Sequence, residues 1–440
     1  MRFGKVRGIV ALITAAILLT GCNAVKHETE SRTVHLTLKV PTLTHQTPAD
    51  PDISSAAGFL EKMAAAYRKE HPNVTIDTVV FALTDEDAYI TDCFDTEDAA
   101  DILYEGYFNM AGYVHTGRVV PLDDIISDSV KEDIPDSMWT MSRTNGKTYM
   151  MPFTSNQNIL AYNKDMFRQA GLDSYVSHEP VIQNWTLEEW EKILDALAAN
   201  RSVSSFPMMM YGKNEQGDTH IMTLLRSHGS TFFQEDGSFH LDTPEGIAGL
   251  QWLSEGVDKG WYPAHSENLE IMDCSKLFAN GQLAIYMTNN ALLRYDGIDT
   301  GYVNFPSDGG GGYATSFLIG FQVFDNGDDA RVAAAKDFLK YIYETEQWLD
   351  YSAGGIPASN KTAEKYKSEI PMLDEFYANG ENVVDFTMNN PNWRGVRAVF
   401  WTSIHDLLKG ELTPKEAARK IDQECNKEIE EGRKTSRLHE

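Results

Sequence analysis

Leu19-Thr20-Gly21-Cys22 is the sharpest chemical signature in the chain. It closes a basic start (Arg2, Lys5, Arg7) and an apolar run from Ile9 to Leu19, the order of a secretory signal. The run is too short to span hydrocarbon, which takes about 20 residues. A cysteine placed directly after Leu-Thr-Gly reads as the site where cleavage leaves a new N-terminus whose thiol carries a lipid. Residues 1–21 are therefore the expected signal, Cys22 the expected lipid attachment, and the anchor the only expected contact with the membrane.

Catalytic signatures are missing. There is no G-x-S-x-G elbow, no H-E-x-x-H and no paired C-x-x-C. Gly146-Lys147-Thr148 imitates the end of a phosphate-binding loop, but Met141 stands where that motif needs glycine, and Asn145-Gly146 reads better as a hairpin turn. The acidic run from Asp85 to Asp101 does not make a calcium loop: counted from Asp85, the sixth residue is Ile90 and the twelfth Thr96, where glycine and glutamate are required. A solvated helix face explains it. Cys93, Cys274 and Cys425 are far apart and odd in number, neither a disulfide framework nor a metal set. No metal and no cofactor is expected. Paired carboxylates for glycoside hydrolysis stay open, because their separation is a spatial property.

The elements that must position any site follow from hydrophobic period. Val34, Leu36, Leu38 and Val40 alternate with polar residues, as in a strand. Leu60, Met63, Ala64 and Tyr67 share one helix face, Val74–Phe81 is a second strand, and Ile102–Tyr104 a third. That order predicts a parallel sheet with helices on both faces. Thr186 with Glu189 and Thr413 with Glu416 are capping boxes, the latter launching a helix over 414–431. Thr243-Pro244 starts another helix, Leu283–Met287 is strand-like, and Arg331–Tyr351 reads as one long helix. Cys425 falls in step with Ala417, Ile421 and Ile429, as a small core residue. Trp185 and Trp190 are assigned to packing, and Gly309–Gly312 to a flexible loop.

Composition bounds the partners. Without the signal, whose three basic residues count among the 38 in the chain, 35 basic residues face 65 acidic ones. A surface with that excess repels phosphate backbones, so nucleic acid is not an expected partner. The length suits two lobes rather than one core, and Asn23–Thr33 suits a tether.

Nine stretches in register resemble the extracellular solute-binding proteins of ABC importers, the family that includes maltose-binding protein. They are AAAYRKEHPNVTIDTV (64–79), ADILYEG (100–106), VVPLDDII (119–126), NGKTYMMPF (145–153), LAYNKDMFRQAGL (160–172), NWTLEEWEKIL (184–194), KLFANGQLAIYMTN (276–289), AAAKDFLKYI (333–342) and LLKGELTPKEAARKI (407–421). The resemblance implies an α/β fold of two lobes, each a sheet flanked by helices, with the ligand cleft between them. Residues 34–153 with 305–345 would form lobe I, and 154–304 with 346–440 lobe II. It also implies a monomer that captures an oligosaccharide or other small solute by closing the cleft and delivers it to ABC permease subunits.

Ligands in open α/β sheets sit beyond the carboxyl ends of strands, which aims Glu105, Tyr107, Phe108 and Asn109 at the cleft. Tyr107 and Phe108 are equally compatible with core. Asn156 occupies a position where relatives carry a ligand carboxylate, and Asn289 the region where many carry a stacking tryptophan. Trp393 and Arg394, in an expected loop before a helix Val396–Leu408, would offer a face from the other lobe, with lobe packing as the alternative for Trp393. An extracellular carbohydrate-active enzyme, a receptor feeding a sensor kinase and a receptor for a cationic solute remain alternatives.

The anchor generates the first prediction. Mass spectrometry of the mature N-terminus should find a lipid-modified Cys22, and Cys22→Ala should abolish the modification. An unmodified N-terminus at any other residue would contradict the assignment.

Overall fold

The computed structural model describes residues 32–438 apart from 83–85, 289–294, 296 and 310. Cys22, the signal segment and Asn289 lie outside the described residues.

Val34–Pro41 (β1) and Val74–Phe81 (β2) run parallel, and Ile102–Gly106 (β3) runs parallel on the other side of β1. Between β1 and β2 lies the helix Ala56–Glu70 (α1), capped by Ser55, whose hydroxyl accepts from Gly58 N. Alternation in β1 places Leu36, Leu38 and Val40 against Phe59, Leu60 and Met63 of α1 in one core. In β3, Ile102 and Tyr104 face that same core while Leu103 faces a smaller one on the opposite side of the sheet. Burial on both faces is what a parallel sheet with helices on each side requires. The smaller core is closed by the short helix Met110–His115 (α2), through Met110, Tyr113 and Val114.

The chain next crosses to a second sheet: Met151–Asn158 (β4), in the first, is followed after Ile159 alone by Leu160–Asn163 (β5), in the second. Ile182–Gln183 (β6), Ile285–Met287 (β7), Thr300–Val303 (β8), Thr315–Val323 (β9) and Ile356–Pro357 (β10) follow in the chain. The first sheet has the order β10-β4-β9-β3-β1-β2, and a second has β7-β5-β8-β6. One stretch of backbone, β4 into β5, therefore serves both sheets.

The second sheet is packed by Leu187–Asn200 (α3), Asp218–Ser227 (α4) and Pro244–Glu255 (α5). Asp329–Glu344 (α6) instead covers the first sheet through Phe338, Leu339 and Ile342. Trp393–Leu408 (α7) and Pro414–Thr435 (α8) return to the second core. The expected capping boxes form at Thr186/Glu189 and Thr413/Glu416. Asn145 and Gly146 take positive φ in a two-residue hairpin, as read from sequence. Cys425, Trp185 and Trp190 are core residues. No helix among the described residues is long and apolar enough to cross a membrane.

Three boundaries differ from the sequence reading. The helix expected over Arg331–Tyr351 stops at Glu344, because Thr345 turns to extended backbone (φ −116°, ψ 101°); the chain restarts as a short turn that sends Trp348 and Tyr351 into the first core. The last helix runs past 431 to Thr435, since Gly432 lets it lie against Pro391 and Asn392, where a Cβ would come within 2.7 Å of Asn392 Cβ. Trp393 and Arg394 are not in a loop. They open α7, because Asn392 caps the helix by accepting from Gly395 N at 3.1 Å.

Candidate functional site

The carboxyl end of β3 delivers Glu105 and then Gly106, after which one tight turn, Tyr107–Asn109, leads into α2. Gly106 is required by contact: a Cβ there would lie 2.8 Å from the ring of Phe317 on β9. Glu105 is fully buried, and Asn109 Nδ2 donates to its Oε1 at 2.8 Å. Asn109 Oδ1 is buried without a hydrogen-bond partner among the described residues. Phe108 lies half-buried between Tyr107 and Phe317, with ring centres 4.6 and 5.6 Å away. Asn156 on β4 sits directly across from Phe317 in the antiparallel register, and therefore on the same sheet face. Its Oδ1 is also buried without a hydrogen-bond partner among the described residues. Glu105, Tyr107, Phe108 and Asn109 are thus one cluster, linked to Asn156 through Phe317.

Facing this cluster is a wall built on the second core. Asp218 opens α4 and is 1% exposed. Its carboxylate pairs with Arg397 Nε and accepts from Thr219 N at 2.6 Å. Burial raises its pKa and the Arg397 guanidinium pulls it back down; the positive end of the helix also favours its charge. Arg397 donates to Glu215 O at 3.3 Å and lies 5.9 Å from the centre of the Phe108 ring, so it bridges the two walls by charge on one side and by its π contact on the other. Tyr107 crosses in the opposite sense, donating from its hydroxyl to Asp385 Oδ1 at 3.3 Å. Burial, and then the Asp385 charge, push that phenol well above its usual pKa.

Behind Asp218 are Tyr211, whose hydroxyl donates to Met287 O at 3.1 Å, and His220, edge-on to it at 5.4 Å. Burial lowers the pKa of His220 to about 4, so the ring is neutral at physiological pH. Among the described residues no group of histidines, cysteines and carboxylates could hold a metal.

Trp393 is 1% exposed, packed in the second core and tilted against Phe233. Arg394 beside it is exposed. The residue of this helix that reaches the opposing wall is Arg397, one turn further on. The sequence reading singled out none of Asp218, Tyr211, Asp385 and Arg397. Arg397 had a signal: it follows Val396 on a helix whose buried face is Trp393, Val396, Phe400, Ile404 and Leu407, a place where a charge needs a buried partner.

Where the chain passes between the sheets, side-chain amides replace apolar packing. Asn158 Nδ2 donates to Thr315 Oγ1 at 3.0 Å, tying β4 to β9. Gln157 Nε2 donates to Phe376 O at 2.8 Å and accepts from Asn379 Nδ2 at 2.9 Å. Asn379 and Asn304, at the end of β8, exchange amide hydrogen bonds at 2.7 and 2.9 Å. All four amide residues are buried.

With this geometry in hand, comparison with known proteins is decisive for class. The family of bacterial extracellular solute-binding proteins matches residues 50–347, and the chain belongs to that family. Its place is outside the cytoplasmic membrane. A binding protein of Brucella abortus (strain 2308) is 20% identical over 366 residues, covering 80% of this chain and 84% of its own. The diacetylchitobiose-binding protein of Streptomyces coelicolor is 21% identical over 359 residues, covering 77% and 79%. Among solved structures, an ABC substrate-binding protein of Listeria monocytogenes in complex with cycloalternan superimposes with a TM-score of 0.70 at 17% identity, over 90% of this chain and 98% of its own. Maltose-bound MalE3 of T. maritima gives 0.70 at 18%, over 89% and 99%. The two-lobe α/β fold is therefore that of solute-binding proteins, and family and neighbours are binding proteins rather than enzymes, which removes the carbohydrate-active-enzyme reading.

The Asp218–Arg397 pair generates the second prediction. Removing one member of a buried pair typically costs about 3–5 kcal/mol, whereas replacing both by apolar residues is often close to neutral. Arg397→Leu should therefore lower the melting temperature by several degrees, and adding Asp218→Leu should recover more than half of the loss. A double variant as unstable as the sum of the single ones would show that the pair does not act as a unit.

Proposed function

We propose that this protein captures an oligosaccharide outside the cell and delivers it to ABC permease subunits, acting as a monomer tethered through lipidated Cys22. The observation that carries the ligand class is the pairing of aromatic faces with acceptors: Tyr107 and Phe108 stand beside Glu105, with Asp385 and Asp218 opposite. A sugar offers C–H faces that suit aromatic rings and hydroxyls that suit carboxylates and amides. The cargo of its relatives, diacetylchitobiose, cycloalternan and maltose, is of the same class.

In this reading Glu105, Asn109 and Asn156 accept from or donate to hydroxyls while Phe108 lies against a ring. Asn109 Oδ1 and Asn156 Oδ1 are the acceptors that a bound hydroxyl would satisfy. Asn289 and Arg394 are proposed contacts on the resemblance alone, whereas Trp393 supports α7, and so Arg397, from the core. The two lobes divide at the β4–β5 crossing and at the segment before β9. Trp348, Tyr351 and β10 pack with the first sheet, which supports placing a third crossing after Pro357 where the sequence suggests 345. The ligand acts by favouring the closed arrangement, to the extent of its extra contacts there.

Titration calorimetry with maltotriose, diacetylchitobiose and spermidine tests the ligand class. Binding of a saccharide, weakened about tenfold to a hundredfold by Glu105→Gln through loss of about 1.5–3 kcal/mol for a charged acceptor, is expected. Phe108→Ala should weaken it comparably, as stacked anchors dominate such sites. Binding of spermidine in place of the saccharides would assign the acidic groups to a cationic solute instead.

A further inference from the structure

The last described residues leave the core that α8 belongs to and attach to the other one. Ala417, Ala418, Ile421, Cys425 and Ile429 bury α8 in the second core. Beyond Thr435 the backbone extends, with Ser436 at φ −57° and ψ 131°. Ser436 Oγ and His115 Nδ1 then share a hydrogen bond of 2.8 Å. Arg437 N donates to His115 O at 2.8 Å. Leu438 packs against the small core on the first sheet, which holds Tyr113 and Val114. Gly117, with φ +75°, leaves room for this segment, since a Cβ there would sit 3.1 Å from Arg437 Cβ.

The two ends of this contact are the backs of the two site walls. His115 ends α2, the helix that continues directly from the turn bearing Tyr107, Phe108 and Asn109. Gly432, in the last turn of α8, lies against Pro391 and Asn392, and Asn392 caps the helix that carries Arg397. A groove of about 360 Å³ runs along the contact, between Phe94 and Arg118 on one side and Pro391 and Thr435 on the other. The connection is a small contact beside open space, next to direct packing of α2 on α7 and α8.

We infer that Ser436–Leu438 is a strap that holds the Arg397 wall against the Phe108 wall and biases the binding protein toward its closed arrangement. The inference rests on the cleft-closure reading above. Separating the walls breaks the Ser436 and Arg437 hydrogen bonds and uncovers Leu438. Two net hydrogen bonds and part of a leucine together shift a two-state equilibrium by roughly tenfold to a hundredfold. Without the strap, a ligand would have to supply that shift itself, and its apparent affinity would fall by the same factor.

Distance measurement between spin labels tests this on the full chain. Val80→Cys on β2 and Val203→Cys in the turn after α3, both at exposed positions, would carry the labels in a Cys93→Ser background. The strap is removed in two ways, by Leu438→Asp and by ending the chain after Thr435, neither of which touches the core face of α8. In the absence of ligand, both variants should move population from short to long distances by tenfold or more relative to the parent. Superimposable distributions in parent and variants would overturn the strap. Whether maltotriose, once calorimetry shows it bound, shortens the distance in the variant ending after Thr435 decides cleft closure separately, so either idea can fail without the other.

Discussion

Everything in this molecule is referred to one stretch of backbone, Met151–Asn163, in which a single residue, Ile159, separates a strand of the first sheet from a strand of the second. Two sheets joined by one continuous stretch in this way are tied to each other at the crossing. We propose that they rotate about the crossing. The side chains placed there are amides: Gln157, Asn304 and Asn379 hydrogen-bond to each other and to backbone, and Asn158 donates to the Thr315 hydroxyl. In a low-dielectric interior each unmet amide group costs about 1–3 kcal/mol, so the Gln157–Asn379–Asn304 network resists arbitrary slippage and favours arrangements that keep its groups matched, while Asn158 Oδ1 is without a hydrogen-bond partner among the described residues. An apolar crossing would impose no such selection.

The site is built on that constraint. Glu105–Asn109 extends from the central β3 of one sheet, and Asp218 and Arg397 from helices on the other core, so the distance between the walls is set by rotation at the crossing. The polar groups are already engaged with each other, through Arg397 with Phe108 and Tyr107 with Asp385. A ligand entering between the walls would exchange these contacts for its own, and its affinity reports the difference rather than the total. The neutral His220 and the buried Tyr211 behind Asp218 supply a rigid backing that does not itself compete for protons at physiological pH.

Local period made most of the elements legible. β1, β2 and α1 begin and end close to where alternation and the 3.6-residue repeat place them, and the caps at Thr186, Thr243 and Thr413 are formed as read. Thr345 and Asn392 mark where that reading fails: a β-branched residue leaves the helix in the first case, and in the second an Asn beside a proline begins one. The turn Glu105–Asn109 could be picked out because a strand end is a topological feature visible in sequence. Asp218 and Arg397 could not, since what distinguishes them is that two charges 179 positions apart are buried together. The amide network is hidden for the same reason: Gln157 and Asn379 are 222 positions apart, and nothing in the local pattern separates a buried asparagine from one in a surface turn.

The central claim is that the two lobes close on a solute by rotating at the Gln157–Asn379 crossing. Small-angle X-ray scattering of the protein, without ligand and with a saturating concentration of the saccharide that calorimetry identifies, addresses it directly. A smaller radius of gyration and a sharper distance distribution are expected in the bound sample. Identical profiles with a tightly bound ligand, both in the parent and in a variant ending after Thr435, would contradict closure as the way this protein holds its solute.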